Sequence, residues 1–223
     1  MQFIQTTDRS LGAAALRTRL IKELNEGLKV LWLVSGGSNI PLSVAVMNTL
    51  PEALTSKLTI MLIDERHGPV GHADSNGSQL LIAGFDHKQA HIVPVLVGDR
   101  TLEETRESYD TAARMAFTDA DIVIGQMGIG VDGHIAGILP GSIALDSTDF
   151  VAAYTTDEYA RLTLTSHAIK RLNAAYVFAF GDDKTATLER LENETLPYSE
   201  QPAQILKELP EVYIFNDLIG DKI

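Results

Sequence analysis

The chain has 223 residues, of which 45% are hydrophobic and 22% are charged, and its formal net charge at pH 7 is −12. This acidic balance argues against nucleic acid or an anionic membrane as a main partner, so an anionic ligand would need a local positive patch. The sequence contains no cysteine, which excludes disulfides, a thiolate nucleophile and a cysteine-ligated metal. No apolar run reaches the roughly 18 residues of a membrane span, and the N-terminus lacks a leader pattern, so we expect a cytoplasmic protein.

Helical and strand patterns alternate along the chain. We predict three helices: one over residues 8–27 capped by Asp8 or Ser10, one over 101–117 opened by the capping box Thr101-Leu-Glu-Glu104, and one that begins at 182 or 183. The predicted strands lie near 29–34, 58–63, 91–95, 121–127, 150–154, 161–164, 175–180 and 211–215. This alternation predicts an α/β fold with a mostly parallel, open, Rossmann-like sheet covered by helices on both faces. The stretches 68–77 and 192–202 are interpreted as loops, and we expect residues 1–223 to form a single domain.

Polar segments follow two of the early strands. After strand 29–34 comes Ser35-Gly-Gly-Ser38, with Pro41 placed for the first turn of a helix. A glycine turn that leads into a helix N-terminus is suited to holding a phosphate, and Gly36 and Gly37 are needed for the tight turn. After strand 58–63 comes Asp64-Glu-Arg66, which makes a second polar cluster at the end of a strand.

The most informative stretch is Gly128-Ile-Gly-Val-Asp-Gly-His134, which continues to Gly141. It follows strand 121–127, and open α/β sheets place their ligands at the carboxyl ends of strands. Gly128 and Gly130 permit positive φ or close backbone approach to a ligand, while Asp132 and His134 supply an acid and an imidazole two residues apart. Taken alone, the stretch has an alternative interpretation as an ordinary glycine-rich loop.

Together these segments resemble the 6-phosphogluconolactonases, within the larger group that includes the glucosamine-6-phosphate deaminases. The matching blocks are Ser35-Gly-Gly-Ser38, Asp64-Glu-Arg66 with Pro69 and Ser75-Asn76, Gly128-x-Gly-x-Asp-Gly-His134-x-Ala136 with Leu139-Pro-Gly141, and Arg161-Leu-Thr-Leu-Thr165 with the segment 175–184. The resemblance implies a fold of the sugar-phosphate isomerase type. It also implies a carboxylic ester hydrolase that needs no cofactor. Its expected reaction is the hydrolysis of 6-phospho-D-glucono-1,5-lactone to 6-phosphogluconate, the second step of the oxidative pentose phosphate pathway.

Lactone hydrolysis needs an activated water, a donor for the developing oxyanion and a cationic grip on the phosphate. His134 is the candidate base, because an unperturbed imidazole titrates at about pH 6.5. We expect Asp132 to orient this imidazole or bind a sugar hydroxyl, Arg66 to hold the carbonyl oxygen or the oxyanion, and Asp64 to shape the sugar pocket. The alternatives are a surface histidine, a turn aspartate bonded to its own backbone, and a structural salt bridge of Arg66 with Asp64 or Glu65.

The resemblance assigns the phosphate to Ser38, Arg161 and Lys184. Ser38 and the neighbouring amides would supply neutral donors, Arg161 would bind two phosphate oxygens, and Lys184 would add a point charge. The alternatives are a helix cap for Ser38 and solvated charges at element ends for the two cations. No metal is predicted, because the one conceivable cluster has a spacing that fits no specific metal pattern; its members are His67, His72 and Asp74.

Four short segments depart from the usual family pattern. They are Asn39-Ile40, His67-Gly68, Gly137-Ile-Leu139 and Ser166-His167. The first of these predicts a phosphate loop that is one residue longer or differently shaped, and together they leave the exact substrate open.

Two further functions also stay open. An amino-sugar phosphate deaminase would use Asp64 and the Asp132–His134 pair for ring opening and proton transfer, although that branch typically has a tyrosine at the position of Arg66. A sugar-phosphate-binding regulator without turnover would carry a DNA-binding segment or a damaged loop. The expected partner is a phosphorylated sugar lactone, with neither nucleic acid nor membrane, and the protein is either a monomer or a small homo-oligomer.

Overall fold

The computed structural model describes residues 1–222, which form eleven strands and six α-helices. In chain order the strands are β1 (Gln2–Gln5), β2 (Val30–Val34), β3 (Leu58–Leu62), β4 (Asp64–Arg66), β5 (His91–Val93), β6 (Ile122–Gly128), β7 (Val151–Thr155), β8 (Ala160–Leu164), β9 (Ala174–Phe178), β10 (Glu211–Asn216) and β11 (Asp221–Lys222). The helices are α1 (Arg9–Asn25), α2 (Ile40–Thr49), α3 (Asn76–Ile82), α4 (Leu102–Asp119), α5 (Ser166–Ile169) and α6 (Thr185–Asn193).

Eight strands form one parallel sheet in the order β11-β1-β10-β9-β6-β2-β3-β5. Its central strands are continuous apolar runs, as expected where both faces of a sheet are buried. Strand β2 shows how each strand serves both faces: Leu31 and Leu33 join one hydrophobic cluster, while Trp32 joins the cluster on the opposite side. Helices α1, α2 and α3 pack against the Trp32 side, and α4, α5 and α6 pack against the other. The predicted α/β architecture with helices on both faces is therefore confirmed.

Local capping signals fix the helix ends where they were expected. The Asp8 carboxylate accepts a hydrogen bond from the Ser10 amide at 2.8 Å, and Gly27 takes a left-handed conformation after α1. Thr101 and Glu104 form a complete capping box at the start of α4. Among residues 1–222, no helix combines the length and the apolar character needed to cross a membrane.

A second, antiparallel sheet of three strands was not predicted. Its order is β4-β8-β7, so the strands expected near 150–154 and 161–164 lie outside the parallel sheet. Strands β1, β4 and β11 were also missed, and α3 begins within the stretch interpreted as a loop. Strand β4 is only three residues long and entirely polar, so it carries no apolar alternation that would mark it as a strand.

The direction of chain progression reverses between β2 and β6. From β2 the next strands, β3 and β5, lie on one side, whereas from β6 the next parallel strands, β9 and β10, lie on the other. Such a switch point leaves a crevice at the carboxyl ends of the two strands, where ligands bind in open α/β sheets.

Candidate active site

A cavity of about 220 Å³ occupies this switch point. The predicted site residues that line it are Gly36, Gly37 and Ser38 after β2, Asp64 and Arg66 on β4, Gly128, Gly130 and His134 at and after the end of β6, Arg161 on β8, and Lys184 after β9. Asp132 reaches the cavity through its contact with His134. The fold therefore brings segments from five parts of the chain to one place.

The segment 128–141, here called the histidine loop, holds the acid and the imidazole in direct contact. The Asp132 Oδ1 atom lies 2.6 Å from Nδ1 of His134 and also accepts the His134 backbone amide at 3.1 Å. The hydrogen bond from His134 lowers the pKa of the Asp132 carboxyl below its ordinary value. Because an ionised carboxylate only accepts hydrogen bonds, Nδ1 of His134 donates a hydrogen bond to it, and in the neutral form of the imidazole the free lone pair is then on Nε2. The imidazole is 34% exposed, so water can reach it.

Hydrogen bonds to its main-chain carbonyls hold the histidine loop against neighbouring elements. Within the loop, the Gly130 amide donates to the His134 carbonyl at 2.9 Å. Three later elements donate to its carbonyls: Lys184 Nζ to Ile129 at 2.7 Å, the Thr187 hydroxyl to Val131, and the Ala203 amide to Gly133 at 2.9 Å. The segment around 202–203 thus supports the loop.

Two backbone positions in the histidine loop are tightly constrained. A Cβ atom at Gly130 would overlap the His134 imidazole and the Asp132 carboxylate, so a larger residue at this position would displace the pair. Ala136 lines the cavity in the left-handed region, with φ of 54°, which is uncommon for a residue with a side chain. Such strain persists only where surrounding contacts enforce it.

The glycine turn after β2 leads into α2 through one 3-10 turn. Gly37–Asn39 form this turn, α2 begins at Ile40, and Pro41 lies in its first turn. Within residues 1–222 no side chain caps the N-terminus of α2. The positive end of the helix dipole therefore lies uncapped beside the cavity, which Asn39 lines. Asn39 is 4% exposed and lines the cavity, so the unusual Asn39-Ile40 step belongs to the turn that borders the cavity.

Arg66 and Arg161, here called the arginine wall, stand directly opposite each other on β4 and β8. Neither guanidinium forms an ion pair with any residue in 1–222. Arg66 Nη1 donates to the Asp74 carbonyl at 2.9 Å, and the Nε atoms of both arginines are buried without a hydrogen-bond partner among the described residues. The alternative in which Arg66 forms a salt bridge with Asp64 or Glu65 is not what the structure shows.

Asp64 is a buried carboxyl between these groups. Burial raises its pKa, and the neighbouring Glu65 adds to this effect. The charges of Arg66, Arg161 and His134 act in the opposite direction. Asp64 therefore lies where the histidine loop and the arginine wall meet.

The neighbouring Glu65 had no predicted role beyond the rejected salt bridge. Its carboxylate is 2% exposed and accepts four hydrogen bonds, from the amides of Arg66 (2.7 Å), Asn76 (2.6 Å) and Gly77 (3.0 Å) and from the Ser75 hydroxyl (2.9 Å). Asn76 in turn donates to the Asp64 carbonyl at 3.0 Å and lines the cavity. Glu65 thus fastens the start of α3 to β4, and the N-cap signal of Ser75 was the local clue to this helix.

Of the three residues weighed as a metal cluster, the two histidines contact different backbone carbonyls. Nε2 of His67 lies 3.1 Å from the Arg100 carbonyl, and Nε2 of His72 lies 2.9 Å from the Arg66 carbonyl. Across residues 1–222, no three histidine or carboxylate side chains are grouped as metal ligands.

The amino-acid sequence matches that of a known protein family. The sequence profile of "Glucosamine-6-phosphate isomerases/6-phosphogluconolactonase" matches residues 8–214. A 6-phosphogluconolactonase of Pseudomonas aeruginosa is 33% identical over 139 residues, which cover 60% of this chain and 56% of that protein. One from Helicobacter pylori is 27% identical over 201 residues, covering 86% of this chain and 87% of that protein.

Solved structures show the same fold. The chain superimposes on a 6-phosphogluconolactonase from Thermotoga maritima with a TM-score of 0.81 at 20% identity, covering 96% of this chain and 97% of the other. For one from Shewanella baltica the TM-score is 0.79 at 21% identity, with 97% of both chains covered. Since the family profile spans nearly the whole sequence, this chain belongs to the family of glucosamine-6-phosphate isomerases and 6-phosphogluconolactonases.

Proposed function

We propose that this protein hydrolyses 6-phospho-D-glucono-1,5-lactone to 6-phosphogluconate. One observation carries the proposal: His134, oriented by Asp132, lines the same cavity as Arg66, Arg161 and Lys184. A base that water can reach and a group of cations are what the hydrolysis of an anionic ester requires. The activity is also the one named for the curated relatives of the chain.

In the proposed reaction, Nε2 of His134 takes a proton from water as the water oxygen bonds to C1 of the lactone. The carbonyl oxygen becomes an oxyanion, which the Arg66 guanidinium stabilises. The bond between C1 and the ring oxygen then breaks, and His134 returns the proton to that oxygen. The carboxylic acid product loses its own proton to solvent. Asp132 stays ionised and stabilises the imidazolium between the two proton transfers.

The other end of the substrate would be held by charge and by the helix. Arg161 and Lys184 supply two cations, while Ser38 and the uncapped N-terminus of α2 supply neutral donors. These groups provide the local positive patch that an anionic substrate needs on a chain with a net charge of −12.

Proton transfer in an amino-sugar phosphate isomerase is the second candidate. Asp64 favours it, because a buried carboxyl with a raised pKa is suited to moving a proton. We place this candidate second because of Arg66, since a guanidinium that lines the cavity is better suited to stabilising an oxyanion than to assisting ring opening.

The deciding experiment supplies both substrates to the purified protein. Acid release from freshly prepared 6-phosphogluconolactone is followed at constant pH, with spontaneous opening subtracted, and ammonia release from glucosamine-6-phosphate is followed in parallel. We expect acceleration of the first reaction only. Ammonia release without lactone hydrolysis would replace the proposal by the isomerase, and binding without either reaction would replace it by a regulator. The pathway, the cytoplasmic location and the single domain remain predictions from the sequence.

A further inference from the structure

We propose that Tyr159 is a positioning residue for the arginine wall. Its ring holds the guanidinium groups of Arg66 and Arg161 side by side, one toward the carbonyl end of the substrate and the other toward the phosphate end. This inference rests on the proposed function for the identity of the substrate. Its physical basis is the geometry of three side chains that no sequence motif connects.

The pairing of two arginines across the antiparallel sheet has an energetic cost. Arg66 and Arg161 are direct partners in the β4–β8 register, and like charges directly opposite each other destabilise a sheet. No carboxylate in residues 1–222 forms an ion pair with either one, so the charges are not neutralised in that way. The Asp74 carbonyl accepts a hydrogen bond from Arg66 at 2.9 Å, but orienting both guanidinium groups as a pair needs a group that reaches both side chains.

The Tyr159 ring is that group. Its centroid lies 5.2 Å from the guanidinium carbon of Arg66 and 5.8 Å from that of Arg161. Both distances fall within the range of about 6 Å over which an aromatic face attracts a cation. One ring therefore contacts the arginine proposed for catalysis and the arginine proposed for binding.

Tyr159 is itself held in place by the hydrogen bonds of its turn. It ends the turn between β7 and β8, where the Thr156 amide donates to the Tyr159 carbonyl at 2.8 Å and the Tyr159 amide donates to the Thr156 hydroxyl at 3.2 Å. The next residue, Ala160, accepts the His67 amide at 2.7 Å, which ties this turn to the end of β4 beside Arg66. A ring mounted on a closed turn can orient flexible guanidinium groups.

The test compares Tyr159→Leu with Tyr159→Phe, which keeps the ring. We expect Tyr159→Leu to lower kcat/KM for 6-phosphogluconolactone by about five- to thirtyfold, because it removes two cation–π contacts that each supply about two- to fivefold. The loss should divide between a lower kcat through Arg66 and a higher KM through Arg161. On unphosphorylated gluconolactone only the kcat loss should remain. Tyr159→Phe should keep most of the activity, because the ring face rather than the hydroxyl makes the contact.

Tyr198→Leu is the matched control. Tyr198 also contacts a cation, with Lys170 Nζ 4.6 Å from its ring centroid, but Lys170 does not line the cavity, whereas Arg66 and Arg161 do. This variant should leave the kinetic constants unchanged. Equal loss in Tyr159→Phe and Tyr159→Leu, or no loss in either, would overturn the inference while the proposed function stands.

A binding measurement separates the two proposals. If the native protein does not hydrolyse the lactone, binding of inorganic phosphate measured by calorimetry still tests the contact with Arg161. Weaker binding in Tyr159→Leu than in Tyr159→Phe would support the positioning role without turnover, and equal binding would contradict it.

Discussion

The histidine loop and the arginine wall face the same cavity but are built in opposite ways. The polar groups of the loop find their hydrogen-bond partners within the protein: His134 is held by Asp132, and several loop carbonyls accept hydrogen bonds from later elements. The arginine wall instead leaves two cations without an ion pair in residues 1–222. The difference suits the proposed roles, since a base must be oriented beforehand, whereas the cations proposed to hold an oxyanion and a phosphate gain most when the substrate completes their contacts.

Removing the base should have the largest effect. We expect His134→Gln to lower kcat by about 10²- to 10⁴-fold, because a positioned general base contributes a factor of that size. The loss should be similar for phosphorylated and unphosphorylated lactones, since His134 acts on water. His91→Gln, at an exposed histidine on β5, serves as the control in the same assay. A His134→Gln variant with native kcat would show that the histidine loop is not catalytic.

Removing one cation should affect binding next. We expect Arg161→Gln to raise KM for 6-phosphogluconolactone by about 10- to 100-fold, because a hydrogen bond to a charged group contributes about 1.5–3 kcal/mol. Unphosphorylated gluconolactone should react almost as it does with the native protein. Lys170→Gln removes a cation outside the cavity and should change neither constant. An equal loss on both lactones would mean that Arg161 does not grip the phosphate.

Neutralising the carboxyl between the two regions should stabilise the fold. Burial raises the pKa of Asp64, so the folded state disfavours its ionised form. The stability associated with Asp64 is therefore fully present below the ordinary pKa of an aspartate and is lost as the pH rises through the raised value. We expect Asp64→Asn to raise Tm at pH 7 by about 2–4 °C, the shift for about 1 kcal/mol in a chain of this size.

The same experiment at low pH supplies the control. Near pH 3, where Asp64 is protonated in both folded and unfolded chains, the Tm difference between Asp64→Asn and the native protein should disappear. A lower Tm for the variant at pH 7 would contradict the proposed cost of burying this charge.

The smallest expected effect concerns the stability of the Asp132–His134 contact. Its hydrogen bond lowers the pKa of Asp132, so the contact stabilises the fold above the ordinary aspartate pKa and this contribution is lost as the pH falls through the lowered value. Both side chains are partly exposed, which limits the contribution to at most about 1 kcal/mol. Urea unfolding of Asp132→Asn and the native protein should therefore differ slightly at pH 7 and converge at strongly acidic pH. A difference that grows toward acid would refute the assignment.

The arrangement of the histidine loop could be predicted because its glycines and its polar pair lie close together in the sequence. Gly128, Gly130, Asp132 and His134 lie within a few positions, and the apolar run of β6 before them fixes their place at a strand end. Helix α4 was predictable for the same reason, since both members of its capping box belong to one turn. Where local chemistry decides the structure, the sequence is sufficient.

The arginine wall could be named but not assembled from the sequence. Arg66 and Arg161 meet only because a short polar strand pairs with β8 in a separate antiparallel sheet, and no periodic pattern marks that pairing. The roles of Glu65 and Tyr159 were missed for the same reason. Their partners come from other elements, so their functions exist only in the tertiary structure.

The most direct test of the division between chemistry and binding is calorimetric titration of 6-phosphogluconate into three proteins: the native chain, His134→Gln and Arg161→Gln. We predict that His134→Gln binds the product with nearly native affinity and that Arg161→Gln binds it about 10- to 100-fold more weakly. Loss of affinity in His134→Gln together with native affinity in Arg161→Gln would contradict the account.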